Sequence, residues 1–404
     1  MARNGNPEKD PFERIDACIR NLQDRPDYWY RITRSPATRE AALAGLVGEL
    51  EGHHLPLEAL DMRCFTIFAV SDICIKKRTR RVARLAYRAV GLLLLTLCDG
   101  SPGPLLDEAF PVLSKAIHGA SPAVVVAAID CQLAAASFAG ARHVERSMDA
   151  IWRVIVPLAT LRSAKLKIRR APERRTNPTV LVAAVSAWTF LLTTVLSTTS
   201  TQRKADRTGW STAIMSLMEF LDADDRRVRM AAGEALAVCA ELNLLTGRDT
   251  DALVAKVSSL AAESASRRAD NSLLREQKEL FGQIAAFLDH DEPPTTSWEF
   301  HDMMKVSTWV RLVQLNFLRK FLGNGFLEHV QGHPLLKEAF SFGRVEGKPL
   351  SIQNKGSSML IDDLLRDLNR VRDGSWFDNN ILVLPRIAGR MKCWPEKLLR
   401  LGWH

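Results

Sequence analysis

A block of small and branched apolar residues recurs along this chain at intervals longer than one helix and shorter than one domain. It reads "SPATREAALAGLVGELEG", "KRTRRVARLAYRAVGLLLLTL", "ASPAVVVAAIDCQLAAASFAG" and "DADDRRVRMAAGEALAVCAEL" in its clearest copies. Aligning Ala41, Ala83, Ala127, Ala183 and Ala231 gives spacings of about 42, 44, 56 and 48 residues. Within each copy the apolar positions fall at helical spacing, as Ala41, Leu43, Leu46, Val47 and Leu50 do. Alternating strand patterns and hairpin dipeptides between β-branched runs are absent, so the chain is expected to be nearly all α.

The period matches that of armadillo and HEAT units, in which two or three short helices bury only part of their apolar surface. Stacking the next unit buries the remainder. The fold class expected is therefore all-α, an armadillo/HEAT-like helical-repeat superhelix. Ser35-Pro36 and Ser121-Pro122 read as helix starts, and Asp224 and Asp225 suit a helix amino terminus, where carboxylates meet free amides and the dipole. Small residues such as Ala231, Ala232, Gly233 and Ala235 let neighbouring helices approach closely. The longest interval holds "LRSAKLKIRRAPERRTNP", a basic, proline-containing stretch that reads as an inserted loop over 162–178.

With 404 residues, 47% of them hydrophobic, the chain can bury a large core. Its formal charge of +9 makes a polyanionic partner worth testing without establishing one. Cys18, Cys64, Cys74, Cys98, Cys131, Cys239 and Cys393 form an odd set with no Cys-x-x-Cys pair, so they read as reduced packing residues. The polar start "MARNGNPEKDPFERI" lacks the apolar core of a secretory signal. "TVLVAAVSAWTFLLTTVLS" has nearly the length of a membrane span. Its hydroxyl residues and doubly basic flanks favour a buried central helix, and no membrane association is expected.

"STWVRLVQLNFLRKFLGNGFLEHVQGHP" mixes aromatics, a Gly-Asn-Gly, two histidines and a carboxylate. The glycines follow a helix, whereas a phosphate loop needs a strand first. A helical hairpin accounts for them: Gly323 ends one helix in the left-handed region, and Gly325 lets the chain turn. Trp309, Leu312, Val313, Phe317 and Phe321 make an apolar seam that Phe326, Leu327 and Val330 meet from the returning helix. His329 and His333 lack a further ligand, and His53-His54 reads as a loop pair with no partner. Metal, cofactor and catalytic residues are therefore not assigned, and substitutions at Glu328 and His329 are expected to be nearly silent.

Two basic clusters remain: Lys76, Lys77, Arg78, Arg80 and Arg81, and, in the inserted loop, Lys165, Lys167, Arg169, Arg170, Arg174 and Arg175. Such runs can contact nucleic-acid phosphates, act as nuclear import signals, or be solvated turns. Neither carries interleaved aromatics for stacking on bases, which favours backbone contacts or acidic protein surfaces over sequence readout.

Several long blocks, "CIKKRTRRVARLAYRAVGLLLLTL", "ERSMDAIWRVIVP", "VSAWTFLLTTV", "DDRRVRMAAGEALAV" and "STWVRLVQLNFLRKFLGNGFLEHVQGHPLLKEAFSF", resemble the interferon-related developmental regulator family, in particular its plant branch. They cover most of residues 36–342. The resemblance implies an N-terminal extension over 1–35, an armadillo-like domain over 36–292, a short family C-terminal domain over 295–342 and no enzyme activity. Family members are described as transcriptional co-regulators in corepressor or deacetylase complexes, and as factors on non-translating ribosomes. The expected partners are thus transcription-complex proteins, or the ribosome and its rRNA, in the nucleus or cytoplasm. A divergent tail over 343–404 replaces the strongly basic segment that usually follows the "FSF" block.

Overall fold

The computed structural model describes residues 10–23, 25–26, 31–32, 35–55, 60, 62–76, 79–97, 103–119, 121–137, 141–163, 177–198, 210–263, 271–295, 306–333 and 336. The chain divides into two compact units, Met1–Gly347 and Lys348–His404. The second unit, and with it the short helix expected near "MLIDDLLRDLNRVRD", lies outside the described residues.

The first unit is built of helix pairs. Helices α1 (Pro11–Leu22) and α2 (Pro36–Gly52) form the first, with a two-residue antiparallel ladder, Arg25–Pro26 against Arg31–Ile32, between them in sequence. Then come α3 (Cys64–Lys76) with α4 (Arg80–Thr96), α5 (Gly103–Ala116) with α6 (Pro122–Ala136), and α7 (Ala141–Ser163) with α8 (Pro178–Thr198). Helices α9 (Ser211–Phe220) with α10 (Arg226–Glu241), and α11 (Gly247–Ala261) with α12 (Asn271–His290), complete the series. Each second helix packs on the next, α2 on α4, α4 on α6 and so on to α12, while α1 packs on α3 and α7 on α9. This is the two-layered, all-α helical-repeat superhelix that the period implies. The alanines aligned by period, Ala41, Ala83, Ala127, Ala183 and Ala231, fall on five successive second helices, α2 to α10.

Local sequence explains where these helices start. Ser35 caps α2 by accepting from the Thr38 amide, with Pro36 at the first helical position, and Asp225 caps α10 by accepting from the Arg227 amide. Thr246 and Asp249 form a reciprocal capping box at α11. Ser121 precedes Pro122 at the start of α6 but makes no side-chain cap bond. Ala41 itself is exposed; Ala42 takes the buried position beside Leu43, Leu46, Val47 and Leu50.

A third layer lies on the second-helix row. Helix α13 (Trp309–Leu322), a 3-10 turn (Gly323–Gly325) and α14 (Phe326–Gly332) form the helical hairpin, and α13 packs against α8 and α10. Residues on both sides of Pro293-Pro294 belong to the same compact unit. Sandwiching between layers explains why α8 can be apolar on nearly every side. Ala187–Thr194 is buried throughout, and Thr189, Thr193 and Thr194 donate their hydroxyls to carbonyls three or four residues earlier. Among the described residues no helix is long and apolar enough to cross a membrane. Trp188 is buried beside Trp152 and Trp210, their ring centroids 5.1 and 6.2 Å from its own.

Candidate functional site

The hairpin covers part of the second-helix row: α13 meets α12, α10, α8, α6 and α4 in turn, and the 3-10 turn and α14 meet α2. Trp309, fully buried, meets Phe287 of α12 at 6.2 Å. The Val310 amide donates to Glu241 Oε2 at the end of α10, 2.8 Å away. On α8, Thr193 Oγ1 accepts from Gln314 Nε2 at 2.9 Å, and Phe190 packs on the edge of Phe317 at 5.0 Å. Lys320 pairs with Asp130 of α6 at 3.5 Å. Arg88 of α4 lies over Phe321, 5.6 Å from its centroid, while donating to Glu51 of α2 at 2.7 Å. Leu312, Val313 and Phe326 are buried as well, whereas Leu327 is 40% exposed and joins no seam.

The glycines of the turn fit two different needs. Gly323 has φ +53°, in the region that favours glycine, and its amide closes α13 on the Arg319 carbonyl. Gly325 has an ordinary φ of −83°. A Cβ there would stand 1.6 Å from the Glu51 carbonyl oxygen, so this glycine is required by close approach to α2 rather than by backbone conformation.

The histidines correct the expectation from sequence. His329 is buried, with Nε2 at 3.1 Å from the Leu50 carbonyl and 3.0 Å from that of Glu51, so it fastens α14 to the end of α2. Its removal is therefore expected to destabilise rather than to be silent. Burial, then the neighbouring His54 ring, pushes its pKa down, so the neutral ring is favoured. His54 is not a loop residue without partner: its ring meets His329 at 5.9 Å and His333 at 5.6 Å, edge-on. Glu328 is exposed. Among the described residues no three His, Cys, Asp or Glu side chains gather to hold a metal ion.

A cleft of about 230 Å³ remains where α13 passes α6, α8 and α10, and it is lined in part by Asp130, Glu234, Asn316 and Lys320. Burial raises the Asp130 carboxyl despite the pull of Lys320, and pushes Glu234 up to about 7 from 4.5. An unfolded chain ionises Glu234 above about 4.5, whereas the folded chain holds the proton to about 7, so stability falls as pH rises through that window and then levels. Glu234→Gln should remove that slope and leave the variant about 1–2 kcal/mol more stable than the parent at mildly alkaline pH, allowing for partial solvation. Urea unfolding at several pH values checks this; parallel curves for parent and variant would contradict it.

The basic candidates divide. Lys76, Arg80 and Arg81 are exposed where α3 hands over to α4; Lys76 pairs with Asp72 of its own helix at 2.5 Å and Arg81 with Glu40 at 3.5 Å. Lys77 and Arg78 lie outside the described residues, as do Lys165, Lys167, Arg169, Arg170, Arg174 and Arg175. Sequence reasoning missed a further basic group, because it is assembled from two helices. Lys115 from α5 and His118 from the turn after it line, with Arg146 and Arg153 from α7, an open cleft of about 430 Å³. The only sequence signal is the helical spacing of Arg146, Asp149, Ala150 and Arg153, which places them on one face.

Residues 3–289 match the family described as Interferon-related developmental regulator. Interferon-related developmental regulator 1 of Rattus norvegicus is 23% identical over 326 residues, covering 77% of this chain and 69% of that protein. Regulator 2 of Mus musculus is 25% identical over 328 residues, covering 77% and 70%, and regulator 1 of Homo sapiens is 24% identical over 325 residues, covering 77% and 69%. With the family pattern spanning well over half of its length, this chain belongs to the interferon-related developmental regulator family.

Proposed function

We propose that the protein is a non-enzymatic helical scaffold that regulates gene expression by binding other macromolecules, acting as a transcriptional co-regulator through protein–protein contacts in the nucleus. The observation that carries this reading is the docked hairpin. Stacked helical repeats offer long surfaces rather than substrate-sized pockets, and here α13 already covers part of the second-helix row, so partners meet the charged outer helices and interhelical turns. The relatives' names describe developmental regulators, in keeping with such a role.

The exposed Lys76, Arg80 and Arg81 favour a second reading, a cytoplasmic translational repressor bound to ribosomes through rRNA phosphates. Sedimentation of the tagged protein from cell extract at low salt separates the two. Retention with nuclear corepressor proteins supports the first; co-migration with ribosomal particles supports the second, and migration as a free monomer in both compartments contradicts the scaffold reading altogether.

Replacing Lys76, Arg80 and Arg81 by Gln gives a quantitative check on the second reading. If they pair with phosphates, the log–log slope of ribosome affinity against salt should flatten by about one unit for each phosphate no longer neutralised. Stability should change by no more than about 0.5 kcal/mol, because the side chains are exposed. An unchanged slope in the folded variant would mean that this cluster is only solvated.

A further inference from the structure

We infer that the outer cleft between α5 and α7 is a docking site for a phosphomonoester, carried by a phosphorylated serine or threonine of a protein partner. Taking the partner as a protein rests on the scaffold reading above. Phe110 and Ala150 line the cleft, and the Arg146 guanidinium lies over the Phe110 ring, 4.3 Å from its centroid. That contact brings to the cleft a guanidinium whose planar fork suits paired anion oxygens. Arg153 follows two turns further along α7, and Lys115 of α5 and His118 of the turn after it line the same cleft.

The cleft gathers more basic than acidic groups, Lys115, Arg146 and Arg153 against Asp149. Among the described residues none of these three cations has a carboxylate within ion-pair distance, and a bound dianion relieves the repulsion between them. A phosphomonoester near pH 7 carries a charge of about −1.5 to −2 and three acceptor oxygens, enough to engage two guanidinium groups and the ammonium group.

The surroundings argue against a nucleic-acid strand. Asp107 and Glu108 are exposed on the same helix α5, Asp107 pairing with His143 at 3.1 Å, and Asp149 lines the cleft between the two arginines in sequence, so a run of backbone phosphates would meet carboxylates. Phe110 is only 7% exposed and is already covered by Arg146, which leaves no ring for a base to stack on. The cleft is also larger than one phosphate needs, which leaves room for the side chain that carries it.

Calorimetric titration of the full chain with N-acetyl-phosphothreonine amide, its unphosphorylated counterpart and a single-stranded uridine oligonucleotide tests the inference. Binding of the phosphorylated probe alone is expected, weakened about tenfold or more by Arg146→Gln with Arg153→Gln. Absence of phosphothreonine binding, binding that the double variant leaves unchanged, or preference for the oligonucleotide would each overturn the inference. Because the titration uses the isolated chain, its failure leaves the sedimentation result untouched.

Discussion

Trp309→Ala should cost about 3–5 kcal/mol and release α13 from the second-helix row, the upper range for deleting a fully buried aromatic side chain. Trp309 has no exposed surface and anchors the start of α13 against Phe287. Its neighbouring amide is held by Glu241, and Thr308 caps the helix by accepting from the Arg311 amide. Removing the indole leaves a cavity at the one point where α10, α12 and α13 converge. Trp309→Phe is the control. The indole Nε1 has no hydrogen-bond partner among the described residues, so a phenyl ring keeps most of the packing and removes an unsatisfied donor, at an expected cost below about 1.5 kcal/mol. Chemical denaturation measures both; an alanine variant as stable as the parent would show that the ring contributes nothing to docking.

Gly325→Ala should be nearly as damaging despite adding a single methyl group. The new Cβ would fall 1.6 Å from the Glu51 carbonyl oxygen, which is backbone and cannot rotate away, so the turn and the end of α2 must separate. That separation also pulls His329 from the Leu50 and Glu51 carbonyls. The expected loss is about 3 kcal/mol, the upper end for overpacking. Gly48→Ala, on α2 and facing open space, should instead stabilise by about 0.5–1 kcal/mol. Equal effects at the two positions would contradict the close docking of the turn.

Much of the fold was legible because its determinants are local. Ser35 and Asp225 lie next to the helices they cap, and the repeat period placed Ala41 to Ala231 on successive second helices. The hairpin was legible as a hairpin from the helix before Gly323. Its docking was not, because the contacts that hold it join residues far apart in sequence: Gln314 with Thr193, Lys320 with Asp130, His329 with Leu50. Nothing in "FLEHVQGH" announces that His329 will end beneath α2, so its role was misread. Gly325 was credited with conformational freedom when the constraint was space, a distinction that needs the neighbouring chain. The outer cleft was missed for a similar reason. A basic run is visible in sequence only when contiguous, whereas Lys115 and Arg146 line one cleft from two different helices.

On the proposed scaffold reading the hairpin occupies the second-helix row and the outer helices are left to partners. Hydrogen–deuterium exchange of the free full-length chain tests it most directly. Amides of residues 309–322 should exchange as slowly as those of α8 and α10, since all three belong to one packed sandwich and open together. Rapid exchange across 309–332 while α8 stays protected would mean that the hairpin is undocked, the second-helix row is open to ligands, and the assignment of binding to the outer surface is wrong.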